Sequence, residues 1–162
     1  MIRATAITVS DEVASGADAD RGGPVAAGLL GELGCEVTSA AVGDDPSAIV
    51  AAIRDAIAGG SRVVLACGGT GIGPRDLTSQ AVRELLAFEI PGIAEEIRRR
   101  GLAHTPQALV SREVAGVVTG PGHRPALVLA IPGSRGGIRD ALAVIGDQLG
   151  YIIDQLDGAG HT

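Results

Sequence analysis

The chain has 162 residues, of which 46% are hydrophobic, and its 19 acidic and 13 basic residues give a net charge of −6. The negative charge opposes binding to nucleic acid or to an anionic membrane. With only Phe88 and Tyr151 as aromatic residues, stacking of nucleic-acid bases is also nearly excluded. The length predicts one domain, residues 1–162, with one continuous core.

Five apolar segments predict β-strands: 4–9, 36–42, 62–67, 114–118 and 126–131. Helical segments lie between most of them, which favours an α/β fold of three layers, a mostly parallel sheet with helices on both faces. The last two strands are separated only by a short stretch rich in glycine and proline. We therefore expect an antiparallel hairpin at the edge of the sheet.

Two helices are predicted in most detail. One begins at Pro91 and ends at Gly101, with acidic residues ahead of basic ones, as helix ends prefer. The last helix should close the domain, because it carries an apolar residue at every third or fourth position. Its apolar residues are Ile138, Leu142, Ile145, Leu149, Ile152 and Leu156.

The start of the chain predicts a cytoplasmic protein, since no basic leader precedes the first strand and no apolar run approaches the roughly 18 residues that cross a bilayer. The spacing of Cys35 and Cys67 is not that of a redox or metal motif, so we expect buried, unpaired thiols. The three histidines, His104, His123 and His161, are scattered, and we expect them in solvent.

The most informative segment is a glycine-rich loop between the third strand and a helix that begins near Thr78. It reads Gly68-Gly69-Thr70-Gly71-Ile72-Gly73-Pro74-Arg75-Asp76. Glycine lets the backbone adopt positive φ and approach a ligand, and free backbone N–H groups near a helix N-terminus hold phosphate oxygens. A Walker-type loop is excluded because the chain has no lysine, and the dinucleotide pattern G-x-G-x-x-G does not match. The loop therefore predicts a phosphate site of another type.

Polar residues follow the carboxyl ends of four predicted strands, where α/β sheets bind their ligands. They are Ser10 and Asp11, Asp44 and Asp45, Asp76, and Pro132, Gly133 and Ser134. Most of the acids are also explained as helix caps or turn residues, but Asp44 is not. Paired carboxylates beside a phosphate loop repel each other unless a hard cation lies between them. The pattern favours Mg²⁺ bridging Asp side chains and phosphate oxygens.

Two arginines near these acids are candidates for phosphate contacts. Arg75 is suited to neutralising charge on a transferred group. Ser111 and Arg112, just before the fourth strand, form a hydroxyl and guanidinium pair suited to a terminal phosphate. For Arg112 an ordinary surface position is equally expected.

Seven short segments form a recognisable set. They are Thr8-Val9-Ser10-Asp11, Asp20-Arg21-Gly22-Gly23-Pro24, Gly43-Asp44-Asp45, the glycine loop through Leu77-Thr78, Pro91-Gly92, Ser111-Arg112-Glu113-Val114-Ala115-Gly116 and Pro132-Gly133-Ser134. Together they resemble the molybdopterin adenylyltransferases of the MogA/MoaB type, which include the gephyrin G domain. The resemblance extends over nearly the whole chain.

The resemblance implies an enzyme that joins the phosphate of molybdopterin to the α-phosphate of ATP and releases pyrophosphate. It implies Asp44 and Asp76 as the catalytic acids and the metal ligands, and the glycine loop as the site for nucleotide and pterin phosphates. Four residues match positions on the pterin side: Ser10, Asp20, Ser111 and Ser134. The resemblance also implies a homotrimer, or a hexamer in the MoaB branch, and a molybdenum insertase as a candidate partner.

One position departs from the adenylyltransferase branch, which has Asn-Leu-Pro-Gly where this chain has Ala130-Ile131-Pro132-Gly133. The Ala130 sequence resembles the MoaB branch, some of whose members lack the activity. Those inactive members also lose the acid that matches Asp44, and this chain retains it. The resemblance therefore favours an active enzyme over a non-catalytic domain that binds molybdopterin or acts as a scaffold.

A hydrolase is a further alternative. The segment Pro132-Gly133-Ser134-Arg135-Gly136 is one residue short of the G-x-S-x-G nucleophile elbow, and Asp140 or Asp147 with His161 would follow in chain order. A catalytic histidine must be held firmly by a third group, which the second-last residue of a chain rarely is. The sequence therefore disfavours this function.

Overall fold

The structure, a computed structural model, describes residues 1–159 and contains a six-stranded sheet. The strands are β1 (Arg3–Val9), β2 (Glu36–Val42), β3 (Val63–Cys67), β4 (Phe88–Glu89), β5 (Val114–Val118) and β6 (Ala126–Ile131). Their order is β2-β1-β3-β6-β5-β4. The pairs β1·β2, β1·β3 and β3·β6 are parallel, whereas β5 is antiparallel to both β6 and β4.

Helices cover both faces of this sheet. Within residues 1–159 they are α1 (Asp11–Ala14), α2 (Gly22–Glu32), α3 (Pro46–Ala58), α4 (Thr78–Leu85), α5 (Pro91–Leu102), α6 (Arg135–Gly146) and α7 (Leu149–Leu156), with a 3₁₀ helix (Pro106–Val110) before β5. Buried residues of α2, α5, α6 and α7 form a core on one face. Those of α3 and α4 form a second core on the other. The predicted three-layer α/β fold is confirmed.

The central strands divide their side chains between the two cores by simple alternation. In β6, Leu127, Leu129 and Ile131 pack on the α6 side, while the residues between them pack on the α3 side. All six residues of β6 are buried. A strand that is buried on both faces reads as a continuous apolar run, which is why this segment was recognisable in the sequence.

The five predicted strands are confirmed to within one residue, and β5 and β6 form the predicted antiparallel pair. The sequence did not indicate β4, which has two residues and pairs only Phe88 with Val117 and Glu89 with Gly116. Two residues are too few for an alternating pattern. The edge of the sheet is therefore β4, and the hairpin lies one strand inside it.

The predicted single closing helix is wrong, because the chain bends between α6 and α7. After Gly146, the N–H of Gln148 donates to the Ile145 carbonyl at 3.1 Å, a tight turn that ends the α-helical pattern. Glycine lowers helix propensity by about 1 kcal/mol relative to alanine, which favours a break at this position. Both helices still place apolar residues in one core, so periodicity alone predicted one helix.

The connections place a crevice at the carboxyl ends of β1 and β3. The chain leaves β1 for α2 on one face of the sheet and leaves β3 for α4 on the opposite face. Loops that diverge in this way leave an opening, and α/β sheets bind ligands there. No helix within residues 1–159 is long and apolar enough to span a bilayer.

Candidate functional site

A cavity of about 680 Å³ opens in the crevice at the ends of β1 and β3. Five predicted binding residues line it: Ser10, Asp20, Gly68, Gly133 and Ser134. The first residues of α2 and α6 line it as well. The fold thus assembles one site from segments near both ends of the chain, and we call this space the main cavity.

The glycine loop, residues 68–76, is shaped by two glycines with positive φ, +110° at Gly68 and +69° at Gly69. A Cβ at Gly68 would lie 2.6 Å from the carbonyl oxygen of Val9, and one at Gly69 would lie 2.3 Å from Oγ1 of Thr78. Both distances are shorter than any van der Waals contact. Only glycine fits these two positions, so the first turn of the loop can lie directly against β1 and α4.

Gly133 brings a second loop against the glycine loop. A Cβ at Gly133 would lie 3.1 Å from the Cα of Gly68, and Gly68 donates its backbone N–H to the Ile131 carbonyl at 2.9 Å. The two loops therefore meet backbone to backbone. This contact makes the floor of the main cavity from main-chain atoms.

Arg112 is part of the frame of the glycine loop. Its Nε donates to the Gly71 carbonyl at 2.7 Å and its Nη2 to the Asp76 carbonyl at 2.8 Å. Its backbone N–H also donates to the Thr70 carbonyl at 2.7 Å. These bonds hold the loop at three points, a role that the sequence pattern did not indicate. A contact between Arg112 and phosphate stays a prediction.

Arg75 lies among three carboxylates at the outer side of the loop. Its Nη2 is 3.0 Å from Asp11 Oδ2, 3.1 Å from Glu12 Oε1 and 3.3 Å from Asp44 Oδ2. The pKa of Glu12 lies below its usual value because its carboxylate accepts hydrogen bonds from its own backbone N–H, from Arg75 and from Ser10. Hydrogen bonding to Glu12 and Asp44 raises the pKa of Arg75. Without this guanidinium, three negative charges would repel one another.

Asp44 is held in a reciprocal pair with Asp11. The N–H of Asp44 donates to Asp11 Oδ1 at 2.8 Å, and the N–H of Asp11 donates to Asp44 Oδ2 at 3.2 Å. The Asp44 side chain is only 13% exposed. Next to it, Asp45 caps α3 by accepting from the N–H of Ser47, as its position before Pro46 predicted. The loops after β1 and β2 are therefore locked together at this acid.

Asp76 shapes the end of the glycine loop. Its Oδ2 accepts from the N–H of Gly73 at 2.9 Å, and its own N–H donates to the Gly73 carbonyl at 3.1 Å. A Cβ at Gly71 would lie 2.7 Å from the same Oδ2, which explains a third glycine in this loop. Arg75 connects this loop to Asp44, so the two predicted catalytic acids belong to neighbouring loops.

A magnesium ion held by Asp44 and Asp76 stays a prediction. Within residues 1–159 no group of three or more His, Cys, Asp or Glu side chains is arranged to hold a metal. Mg²⁺ usually takes only one or two carboxylates from the protein and completes its octahedron with water and substrate phosphates. Asp44 and Asp76 supply that number of hard oxygen donors beside the glycine loop.

Three of the residues predicted on the pterin side cap helices at the main cavity. Ser10 accepts from the N–H of Val13 at the start of α1, and Ser134 accepts from the N–H of Gly137 at the start of α6. Asp20 accepts from the N–H of Gly23 and from the hydroxyl of Thr8, each at 2.8 Å. These bonds orient the three side chains at the cavity wall.

The fourth residue predicted on that side, Ser111, lines a second, smaller space. With Pro132 and Ser134 it lines a cavity of about 310 Å³ between α5, the 3₁₀ helix and α6. We call it the side cavity. It shares Ser134 and Gly136 with the main cavity. Ala130 is fully buried in the α3 side of the core and lines neither cavity.

Sequence reasoning missed three arginines that line the main cavity: Arg21, Arg135 and Arg139. Arg21 pairs with Asp18 at 3.1 Å. Arg135 and Arg139 are exposed and lie four residues apart on the first turns of α6. That spacing places them on one face of the helix and was a readable signal. Positive charge therefore borders a cavity in a chain of net negative charge.

The hydrolase alternative finds no support in the described residues. Ser134 uses its hydroxyl as the cap of α6, and His161 lies outside residues 1–159. Cys67 also lines the main cavity, but burial raises the pKa of its thiol to about 12, which keeps it protonated. Cys35 and Cys67 are both buried and unpaired, as predicted.

One known protein family matches most of the chain. The family described as "Probable molybdopterin binding domain" matches residues 5–150, which include both cavities and all the predicted site residues. The chain belongs to this family.

Curated relatives of this molybdopterin-binding family cover nearly the whole chain. A "Molybdenum cofactor biosynthesis bifunctional protein" of Synechococcus elongatus is 39% identical over 98% of the chain and 48% of its own length. The chain therefore spans about half the length of the first such relatives. A "Molybdenum cofactor biosynthesis protein B" of Staphylococcus carnosus is 36% identical over 96% of the chain and 91% of its own length. A "Molybdopterin adenylyltransferase" of Pyrococcus furiosus is 33% identical over 91% and 86%.

The fold is that of solved members of the family. The molybdopterin biosynthesis Mog protein of Mycobacterium ulcerans has a TM-score of 0.87 and 36% identity, over 96% of this chain and 99% of that one.

Proposed function

We propose that this protein acts in molybdenum cofactor biosynthesis and adenylylates molybdopterin. The observation that carries the proposal is the glycine loop at the carboxyl end of β3, where Gly68 lines the main cavity and Arg75 connects the loop to Asp44. The name of the Pyrococcus furiosus relative supports the reaction, and the match to a molybdopterin-binding family supports the substrate.

The reaction transfers an adenylyl group without any redox step. An oxygen of the molybdopterin phosphate attacks the α-phosphorus of ATP. The bond from that phosphorus to the oxygen shared with the β-phosphate breaks, and pyrophosphate leaves with this oxygen. A new phosphorus–oxygen–phosphorus link joins AMP to molybdopterin. Positioning and charge stabilisation are the main contributions a protein makes to such a transfer.

The residues divide this work between them. Backbone N–H groups of Gly69, Thr70 and Gly71 would hold phosphate oxygens, whereas that of Gly68 already donates to the Ile131 carbonyl. Asp44 and Asp76 would hold Mg²⁺, which when bound neutralises charge on the phosphates. Arg75 keeps Asp11 and Asp44 paired with a cation until the nucleotide arrives.

The substrate side follows the walls of the cavities. Ser10, Asp20 and Ser134 offer fixed polar atoms, and the backbone of Pro132 and Gly133 lets a substrate approach the loop. Ser111 and Arg112 complete this side next to the glycine loop. A homotrimer, with a hexamer as the alternative, a molybdenum insertase partner and a cytoplasmic location also belong to the proposal.

A pyrophosphate-release assay with MgATP and molybdopterin tests the proposal. We expect release that requires both substrates and stops in excess chelator. A non-catalytic domain would bind molybdopterin without releasing pyrophosphate, so a binding titration run in parallel separates the two functions. Molybdopterin binding without any release would refute the adenylyltransferase.

A further inference from the structure

A cavity of about 290 Å³ lies at the amino ends of β1 and β3, at the other end of the sheet from the main cavity. We call it the opposite cavity. Three arginines line it, Arg3, Arg62 and Arg124, together with His123, and no aspartate or glutamate within residues 1–159 does so. In a chain with a net charge of −6, such a concentration of positive charge attracts anions locally.

The sheet brings these arginines together from distant parts of the sequence. Arg3 begins β1, Arg62 directly precedes β3, and Arg124 lies in the hairpin between β5 and β6. The strands β1 and β3 are parallel neighbours, and the backbone N–H of Arg62 donates to the Arg3 carbonyl at 2.8 Å. Nε of Arg62 donates to the Pro125 carbonyl at 2.9 Å, which ties the hairpin to the same place. The three arginines are therefore fixed around one space.

Arg62 is a buried charge whose hydrogen-bonding capacity is only partly used. Its side chain is 8% exposed, and its Nη2 and Nη1 donate to the two oxygens of Asp157 at 2.6 and 3.3 Å. With the bond from Nε, these contacts use three of the five N–H groups of the guanidinium within residues 1–159. The two oxygens of Asp157 show how this arginine fork holds an oxyanion.

Arg3 and Arg124 are exposed and line the same cavity. Arg124 is 66% exposed and donates its Nη2 to Oδ2 of Asp157. Arg3 is 54% exposed, donates its Nη1 to the Gly59 carbonyl at 2.9 Å, and has its Nε 3.7 Å from Glu36. Three guanidinium groups thus meet two carboxylates, which leaves an excess of positive charge at the cavity.

We propose that the opposite cavity binds a small phosphate anion of the size of pyrophosphate, held by Arg3, Arg62 and Arg124. Guanidinium groups present parallel N–H donors that match phosphate oxygens, and several of them together favour a multiply charged phosphate. The volume of about 290 Å³ lies just below the range for drug-sized ligands, about 300–1,000 Å³, and so favours a free anion over a nucleotide. The site is independent of the proposed adenylyl transfer, because none of its residues lines the main cavity.

Asp157 acts as an internal competitor for this site. Its carboxylate contacts two of the three arginines, so a bound phosphate meets a negative charge beside it. Asp157→Asn removes that charge and keeps the shape of the side chain. The variant should therefore bind the anion more tightly. A carboxylate that served only to anchor the end of α7 would give no such gain.

Calorimetric titration of the full chain with pyrophosphate tests the site, at about 150 mM NaCl so that weak surface attraction is screened. We expect a Kd below about 1 mM, binding at least about tenfold weaker in Arg124→Ala, and binding at least about tenfold tighter in Asp157→Asn. Arg99→Ala is the matched control, since Arg99 is an exposed arginine on α5 that also pairs with a carboxylate. It should bind pyrophosphate as the unaltered protein does, and MgATP affinity should be the same in all of these proteins.

Backbone amide chemical shifts of the unaltered protein locate the anion even where a variant does not fold. Pyrophosphate should shift the signals of Gly122, His123 and Arg124. AMP, whose phosphate is attached to a nucleoside, should leave these signals unchanged, and an equal shift would overturn the assignment to a free anion.

Three other results would overturn the inference. Pyrophosphate shifts confined to the glycine loop would place the anion at the main cavity. Arg124→Ala that binds pyrophosphate as tightly as Arg99→Ala would remove the guanidinium from the site. Asp157→Asn with unchanged or weaker binding would make the cluster a structural ion pair. Each of these results would leave the proposed adenylyl transfer standing.

Discussion

Replacing Arg112 by alanine gives the sharpest test of how the glycine loop is held. The change removes the hydrogen bonds from Nε to the Gly71 carbonyl and from Nη2 to the Asp76 carbonyl. It leaves the backbone bond to Thr70 in place. Hydrogen bonds from a charged donor contribute about 1.5–3 kcal/mol each, and partial exposure puts these near the lower end. We expect a total loss of about 2–3 kcal/mol in the stability of the loop.

This loss should appear in two measurements. Urea denaturation should report a lower free energy of unfolding, by up to the same amount if the loop unfolds with the rest of the domain. Titration with MgATP and with molybdopterin should show weaker binding of both, by at least about tenfold, because the phosphate cradle is disordered in each case.

Arg112→Lys separates a geometric role from a role of charge. A single ammonium cannot bridge two carbonyls as the guanidinium fork does, so Arg112→Lys should restore little of the stability or of the ligand affinity. Arg54→Ala, at an exposed position on α3, is the matched control. The reasoning is refuted if Arg112→Ala retains full stability and MgATP affinity but loses affinity for molybdopterin, and if Arg112→Lys restores that affinity. That result would make Arg112 a direct phosphate ligand.

Four other outcomes are expected. Asp44→Ala and Asp76→Ala should each lower pyrophosphate release by at least about 10²-fold with the fold intact by circular dichroism; cooperative unfolding at a much lower temperature would instead assign the residue a structural role. Excess chelator should abolish release while leaving pterin binding nearly unchanged, and full activity would remove the metal from the proposal. Gly69→Val should prevent nucleotide binding in a calorimetric titration, since φ is +69° there. Hydrogen bonds from Arg62 lower the pKa of Asp157. Its contribution to stability is therefore present above the unfolded pKa of about 3.9 and is lost as the pH falls through the lower folded pKa. Asp157→Asn should reduce the loss of stability at acid pH in denaturation curves, and an unchanged loss would contradict the assignment.

Local sequence alone predicted five of the six strands and the glycine loop at the end of β3. Continuous apolar runs marked β3 and β6 because both faces of these strands are buried. The glycines at 68 and 69 were recognisable because the positive φ that a tight turn requires is strained for other residues. These are properties of a residue and its nearest neighbours along the chain, and they need no knowledge of distant segments.

The partners of the site residues were decided only by the tertiary structure. Nothing near Arg75 in the sequence indicates that it contacts Asp11 and Asp44, which lie on two other loops. The same is true of Arg112 under the glycine loop and of Glu113 at the side cavity. A guanidinium or a carboxylate accepts many partners at similar free energy. Which of them it meets depends on how strands distant in the sequence are ordered across the sheet, because that order brings their loops together.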